Sequence, residues 1–309
     1  MDFVLGKVKF PITAVKKDLV PKGISFINNN DVAENILLGA LNNMSVLLQG
    51  QAGVGKTTII KWLTQETYNN YYRVQLNGTV DTDMFVGKWI LKNGDMYWID
   101  GALTKAMKNG YWLVLEEINS CLPEILFVLN QVLDDDRMLV LEDKDGEIVK
   151  PHKDFRLFAT MNPTEDYAGT KELNKALIDR FSIMINIDYP DDETEREIIY
   201  LRAGINNNLI SSIKEVKVDV LDRMLEFANK IRKKNKKGEL LFNCSTRQLI
   251  NWAKTLKYFD IKKGAEITIL SKADNEERKL IRDILNVKFR DGECAVEQVV
   301  IDETLSEII

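Results

Sequence analysis

Ser45-Val-Leu-Leu-Gln-Gly50-Gln-Ala-Gly-Val-Gly-Lys-Thr57-Thr58 decides the fold of this chain. It opens with an apolar run of strand length, and Gly50 to Thr57 fits G-x-x-x-x-G-K-[ST]. A helical pattern over Lys56–Tyr68 follows. Strand, glycine-rich loop and helix in that order make a cradle for phosphate. Gly50, Gly53 and Gly55 let successive backbone N–H groups turn inward without obstruction by Cβ. The N-terminus of the helix adds about half a positive charge. Lys56 is placed to bridge the β- and γ-phosphates, and the Thr57 hydroxyl to ligate Mg²⁺. The candidate nucleotide-binding set is therefore Gly50, Gly53, Val54, Gly55, Lys56, Thr57 and Thr58.

Outward from this loop, short apolar runs recur at Tyr72–Leu76, Trp112–Leu115, Leu157–Thr160 and Ser182–Ile187. Helical patterns lie among them at Val32–Leu41, Gly101–Asn109, Pro123–Leu133 and Leu173–Ile178. Apolar strands alternating with helices imply a doubly wound parallel α/β sheet. After Tyr189-Pro190 the strands stop, and Asp191–Tyr200, Asp219–Arg232, Thr246–Tyr258 and Asn275–Leu285 read as helices. The expected organisation is an N-terminal segment over 1–30, an α/β nucleotide-binding domain over 31–190, a smaller helical domain over 191–290 and a tail over 291–309. Two hairpins interrupt the α/β part: 86–98, turning at Asn93-Gly94, and 138–149, turning at Asp145-Gly146.

Composition removes other chemistries. The 309 residues include one histidine, His152, which excludes histidine-based triads and most zinc sites. Cys121, Cys244 and Cys294 form neither a CxxC pair nor a disulfide framework, as expected in a reducing cytosol. A net charge of −5 argues against a chain whose task is to coat DNA. No apolar run reaches the ~18 residues of a membrane span, and the first residues do not read as a leader, so a cytoplasmic location is expected. Cys121, Cys244 and His152 read as structural or incidental.

Leu113-Val-Leu-Glu116-Glu117 is an apolar strand ending in two carboxylates. In a parallel sheet that edge is where ligands bind. Glu116 would hold Mg²⁺ through water, and Glu117 would polarise the attacking water. The next strand ends Phe158-Ala-Thr-Met-Asn162-Pro163, where Asn162 could orient the water and sense the γ-phosphate; Asn-Pro is also an everyday turn opener. Asp179-Arg180, closing a short helix, reads in isolation as a surface pair.

Taken in order with Ser245–Leu249, these segments resemble an AAA+ ATPase, in the branch that holds MoxR-like, CbbQ/NorQ, CobS chelatase-type, McrB and midasin/dynein modules. The marks are Leu115-Glu-Glu-Ile-Asn119, Ala159-Thr-Met-Asn-Pro163, Ala176-Leu-Ile-Asp-Arg-Phe181 and Asp100-Gly-Ala-Leu-Thr104. The resemblance covers about residues 24–260 and implies ATP and Mg²⁺ as cofactors. It implies that Asn162 is sensor 1, that Arg180 is an arginine finger entering a neighbour's site, and that Arg247, in Ser-Thr-Arg-Gln, is sensor 2 on the lid. It matches the 86–98 hairpin to the helix-2 insert and the 138–149 hairpin to the pre-sensor-1 hairpin. Relatives of this kind are usually hexameric rings, so a homo-oligomer is expected. Glu116 departs from the family's usual Asp.

Trp89, Tyr97 and Trp98 beside Lys88 and Lys92 make the first hairpin aromatic and basic. It either grips a protein partner or packs onto its own domain. Lys230-Ile-Arg-Lys-Lys-Asn-Lys-Lys237 either touches nucleic acid or is the solvated end of a lid helix. Three functions follow. The favoured one is a MoxR-like, chaperone-type ATPase that remodels, matures or inserts metal into a protein, including one with a von Willebrand A-type domain. The second is a McrB-like motor subunit linked to nucleic acid, disfavoured by charge. The third is a nucleotide-gated assembly scaffold with little turnover.

Overall fold

The structure is a computed structural model, describing residues 2–12, 18–27, 30–163, 171–204 and 217–289. The expected tail over 291–309, and Cys294 within it, lie outside the described residues. The chain divides into two compact units, Met1–Asp188 and Tyr189–Ile309.

The first unit is built on a five-stranded sheet. Its strands are β3 (Val46–Gly50), β4 (Tyr71–Gln75), β7 (Trp112–Glu116), β10 (Arg156–Met161) and β11 (Ile183–Ile187), in the order β11-β3-β10-β7-β4, and every neighbouring pair is parallel. Two cores explain the unbroken apolar runs. Val46, Leu48, Trp112, Val114 and Phe158 pack on one face with α1 (Asn30–Leu41) and α2 (Lys56–Glu66). Leu47, Leu113, Leu115, Leu157 and Ala159 pack on the other with α4 (Ala102–Asn109) and α5 (Pro123–Leu133). A strand buried on both faces has no polar alternation to display.

The remaining strands pair antiparallel. β1 (Asp2–Leu5) and β2 (Val8–Pro11) form a hairpin that sequence reading leaves unassigned, with Val8 and Phe10 in the α1/α2 core. After α3 (Thr82–Val86), β5 (Gly87–Lys92) and β6 (Asp95–Asp100) turn at Asn93 and Gly94, whose φ values of 55° and 90° are left-handed. β8 (Leu139–Leu141) and β9 (Glu147–Val149) form the third hairpin. The second hairpin spans 87–100 and the third 139–149. α6 (Lys175–Arg180) closes with Arg180.

The second unit is helical: α7 (Asp192–Ala203), α8 (Lys217–Lys236), α9 (Thr246–Thr255), α10 (Ile261–Thr268) and α11 (Asn275–Lys288). Its core gathers Phe227, Trp252, Ile281 and Phe289, with Trp252 edge-on to both phenylalanines. The unit also holds a buried ion pair. The Arg232 guanidinium donates to both Glu195 oxygens at 2.7 Å, and its Nε donates to the Cys244 carbonyl at 2.8 Å. The guanidinium carbon lies 3.7 Å from the centre of the Tyr189 ring, and Thr246 donates to Glu195 Oε1 at 2.5 Å. Arg232 belongs to the basic run 230–237, so that run is not a continuous solvent-facing cationic patch.

Candidate nucleotide site

The loop after β3 adopts the backbone that its glycines permit. Gly53 and Gly55 have φ of 82° and 98°, in the left-handed region. A Cβ on Gly50 would lie 2.2 Å from the Ile187 carbonyl, so the close approach of β11 also demands glycine there. Lys56, at the first turn of α2, is buried. Its ammonium donates to the Gly50 carbonyl at 2.6 Å, the Gln51 carbonyl at 2.9 Å and Asn162 Oδ1 at 2.9 Å. The loop and the end of β10 are thereby joined at the crevice where the order of the sheet reverses, with β4, β7 and β10 to one side of β3 and β11 to the other.

Asn162 is itself held. The Asn119 amide donates to the Asn162 carbonyl at 2.9 Å and accepts from its N–H at 3.4 Å, and the Asn119 carbonyl accepts from Lys171 N–H at 2.8 Å. The Asn162 amide nitrogen has no partner among the described residues. Asn119 is buried and lies within the segments that carry the resemblance, yet sequence reading assigns it no role. Only the fold places it against Asn162.

The end of β7 separates its two carboxylates. Glu116 is buried, on the same face as Val114, and accepts through Oε2 from Arg73 Nε at 2.5 Å, with Arg73 Nη2 also against that oxygen. Sequence reading misses Arg73 altogether, because the partners lie on different strands. Glu117 follows with φ 56° and ψ 47°, a left-handed backbone that costs a non-glycine residue roughly 1–2 kcal/mol. This turn sends Ile118 and Asn119 into the core and leaves Glu117 half-buried, its N–H 3.3 Å from Thr160 Oγ1 and its carboxylate without a partner among the described residues.

Thr57 Oγ1 and Glu116 Oε1 likewise have no partner among the described residues. Two hard oxygen donors in such a setting fit the demands of Mg²⁺. Val54, Gly55 and Thr58 belong to the loop and the first turn.

Arg180 pairs with Asp134, at the end of α5, rather than with adjacent Asp179: Nε donates to Asp134 Oδ1 at 2.7 Å and Nη1 to the Ala176 carbonyl at 3.0 Å. Arg247, in the second unit, is exposed and makes no ion pair among the described residues. Its helix is set by a capping box, with Ser245 and Gln248 bonding reciprocally. Cys244 is buried, which pushes its thiol up to about 12, and burial also raises Cys121; neither is poised for chemistry. No cluster of metal-ligating His, Cys, Asp or Glu occurs among the described residues, and none of their helices is long and apolar enough to cross a membrane.

A phosphate-cradling loop facing a strand that ends in paired carboxylates defines a P-loop nucleotide-binding module. Residues 45–181 match the family model described as AAA domain (dynein-related subfamily), and residues 196–286 match that of the CbbQ/NirQ/NorQ C-terminal domain. The chain belongs to the AAA+ ATPases of this MoxR/CbbQ-like branch. It is 33% identical to midasin of Dictyostelium discoideum over 213 residues, 67% of this chain but 3% of midasin's length. It is 28% identical to an uncharacterized protein of Staphylococcus haemolyticus, over 85% of this chain and 98% of that protein. Among solved structures, a RuvB mutant of Thermotoga maritima is similar with a TM-score of 0.49 and 18% identity, covering 87% of this chain and 73% of that one.

Proposed function

We propose that the chain couples Mg²⁺-dependent ATP hydrolysis, within a homo-oligomeric, six-membered ring in the cytoplasm, to remodelling or maturation of a protein partner. The observation that carries the hydrolytic half is the Lys56–Asn162–Asn119 chain of hydrogen bonds, which ties the phosphate loop to the residue read as the γ-phosphate sensor. In this reading Lys56 gives up loop carbonyls for phosphate oxygens. Glu117, unpartnered among the described residues at the strand end, takes a proton from the attacking water, and Asn162 orients that water through amide donors that have no partner among the described residues. Thr57 and Glu116 would hold Mg²⁺, which when bound neutralises phosphate charge. Arg180 would reach a neighbour's nucleotide, and Arg247 would close over its own as the sensor of the lid.

The partner half rests on the hairpins. Trp98 packs against the core, as an internally packed insert would, but Leu91, Met96, Tyr97 and Ile99 remain at least half exposed. An apolar, aromatic tip suits a protein better than a phosphate backbone. A von Willebrand A-type partner and metal insertion are special cases of the same reading. The nucleic-acid alternative loses support because Arg232, in the one dense basic run, is engaged internally by Glu195.

Glu117→Gln tests the whole. It should keep ATP binding, lower turnover by about 10²-fold or more, and hold the ring in its ATP state. Unchanged turnover removes Glu117 from the base role. Stimulation of wild-type turnover by duplex DNA, with no response to any protein, would favour the nucleic-acid motor.

A further inference from the structure

We infer that Arg73 is a positioning residue for the metal site: it fixes Oε2 of Glu116 so that Oε1 is presented to Mg²⁺. The inference rests on the reading that Glu116 holds Mg²⁺ through water. β4 is the edge strand beside β7, and Gln75 pairs with Glu116 in register, so Arg73 stands diagonally across from Glu116. The Arg73 side chain is 53% exposed and that of Glu116 7%. Arg73 Nη2, which also lies against Glu116 Oε2, donates to Gln75 Oε1 at 3.2 Å. Both guanidinium contacts to the carboxylate fall on one oxygen, leaving the other without a partner among the described residues.

The physical need is plain. Glutamate carries one more methylene and one more torsion than the aspartate usual at this strand end. A free glutamate would spread its charge over several rotamers, and a buried carboxylate without a cation is costly. A planar guanidinium gripping one oxygen through two nitrogens removes that freedom while leaving a donor for the metal. The neighbourhood registers the same charge: Tyr71, whose hydroxyl is buried without a hydrogen-bond partner among the described residues, has its phenol pushed up by burial and by Glu116. Arg73 thus does for a glutamate what a shorter side chain would achieve by length alone.

The test titrates Mg²⁺ against the full chain holding a fluorescent ATP analogue, with Mg²⁺-dependent melting in ADP as a second readout. Arg73→Met should raise the half-saturating Mg²⁺ about tenfold, the low end for loss of a ligand's supporting partner, because Arg73 is half exposed. Nucleotide affinity in EDTA should stay within about twofold of wild type, which also shows that the variant is folded. In a Glu116→Asp background the shorter carboxylate no longer needs the grip, so Arg73→Met should add less than about twofold. Glu116→Gln supplies the separate control. If it leaves the Mg²⁺ dependence intact, Glu116 does not help to hold the metal and the underlying reading fails. If Glu116→Gln shifts the dependence but Arg73→Met leaves it unchanged or tightens it, that reading stands and the positioning role is wrong. A tenfold loss that persists in the Glu116→Asp background would equally overturn it.

Discussion

Asn119 is a buried amide, and its value lies in what it satisfies rather than in what it touches chemically. It pairs with both main-chain polar groups of Asn162, much as a neighbouring strand would, at the point where β10 has ended and no strand is left to do so. Asn119→Ala would leave a buried N–H and C=O unmet, costing about 1–3 kcal/mol. Differential scanning calorimetry should find the first unit melting several degrees lower, and ATP affinity should weaken through the slackened Asn162. An unchanged melting temperature would mean that another group or water meets those atoms. Sequence reading singles out Asn162 and Glu117 as candidates because each stands at the end of a strand, a position visible in the pattern of apolar residues. It cannot find the partners that hold them. Asn119 meets Asn162 across 43 residues and Arg73 meets Glu116 across 43, and neither spacing is a local rule.

Elements whose cause is local are the legible ones. The three central strands, β3, β10 and β7, are apolar on both sides because helices cover both faces, and the Asn93-Gly94 turn announces itself by chemistry. The β1–β2 hairpin is not legible: four-residue strands, one burying only Val8 and Phe10, give too short a period to detect. α10 escapes sequence reading because Lys262, Lys263 and Gly264 dilute its helical pattern, and its stability comes from packing of Ile261 and Ala265 in the second core. What sequence cannot supply is that the two inserts are fastened together. Trp89 Nε1 donates to the Asp143 carbonyl at 2.7 Å, and Lys144 stands 5.7 Å over the Trp98 ring. Glu147 meets Lys144 at 2.7 Å and Lys108 at 2.9 Å, and these lysines pull its carboxyl below the usual range. The hairpins should therefore respond as one body to a ligand at either tip. Trp89→Phe keeps an aromatic ring, though a smaller one, and deletes the donor, whose hydrogen bond is worth about 0.5–1.5 kcal/mol. Hydrogen exchange across 139–149 should quicken by about two- to tenfold, with the central strands unaffected. Equal rates in the two proteins would show that the hairpins are held independently.

At the scale of the molecule the question is where Arg180 acts. Its ion pair with Asp134 is substantially exposed, with 35% of the arginine and 50% of the aspartate side chain accessible. Such a pair is worth only about 0–1 kcal/mol. The arginine is therefore weakly held, and a transition state carrying developing phosphate charge can draw it away from Asp134. A finger that serves an adjoining copy predicts a result that no single-chain role can mimic. Arg180→Ala should lower turnover by about 10³–10⁵ while leaving ATP affinity within a few-fold. Glu117→Gln alone should also be inactive, for want of a base. Mixed together, the two should regain activity, because an Arg180→Ala copy keeps its own Glu117 and can borrow the finger of a Glu117→Gln neighbour. The measurement is ATP turnover against the mixing ratio at constant total protein, which should pass through a maximum between two inactive ends. If Arg180 works only within its own chain, no ratio restores hydrolysis, and the seam between copies is not where the nucleotide is cleaved.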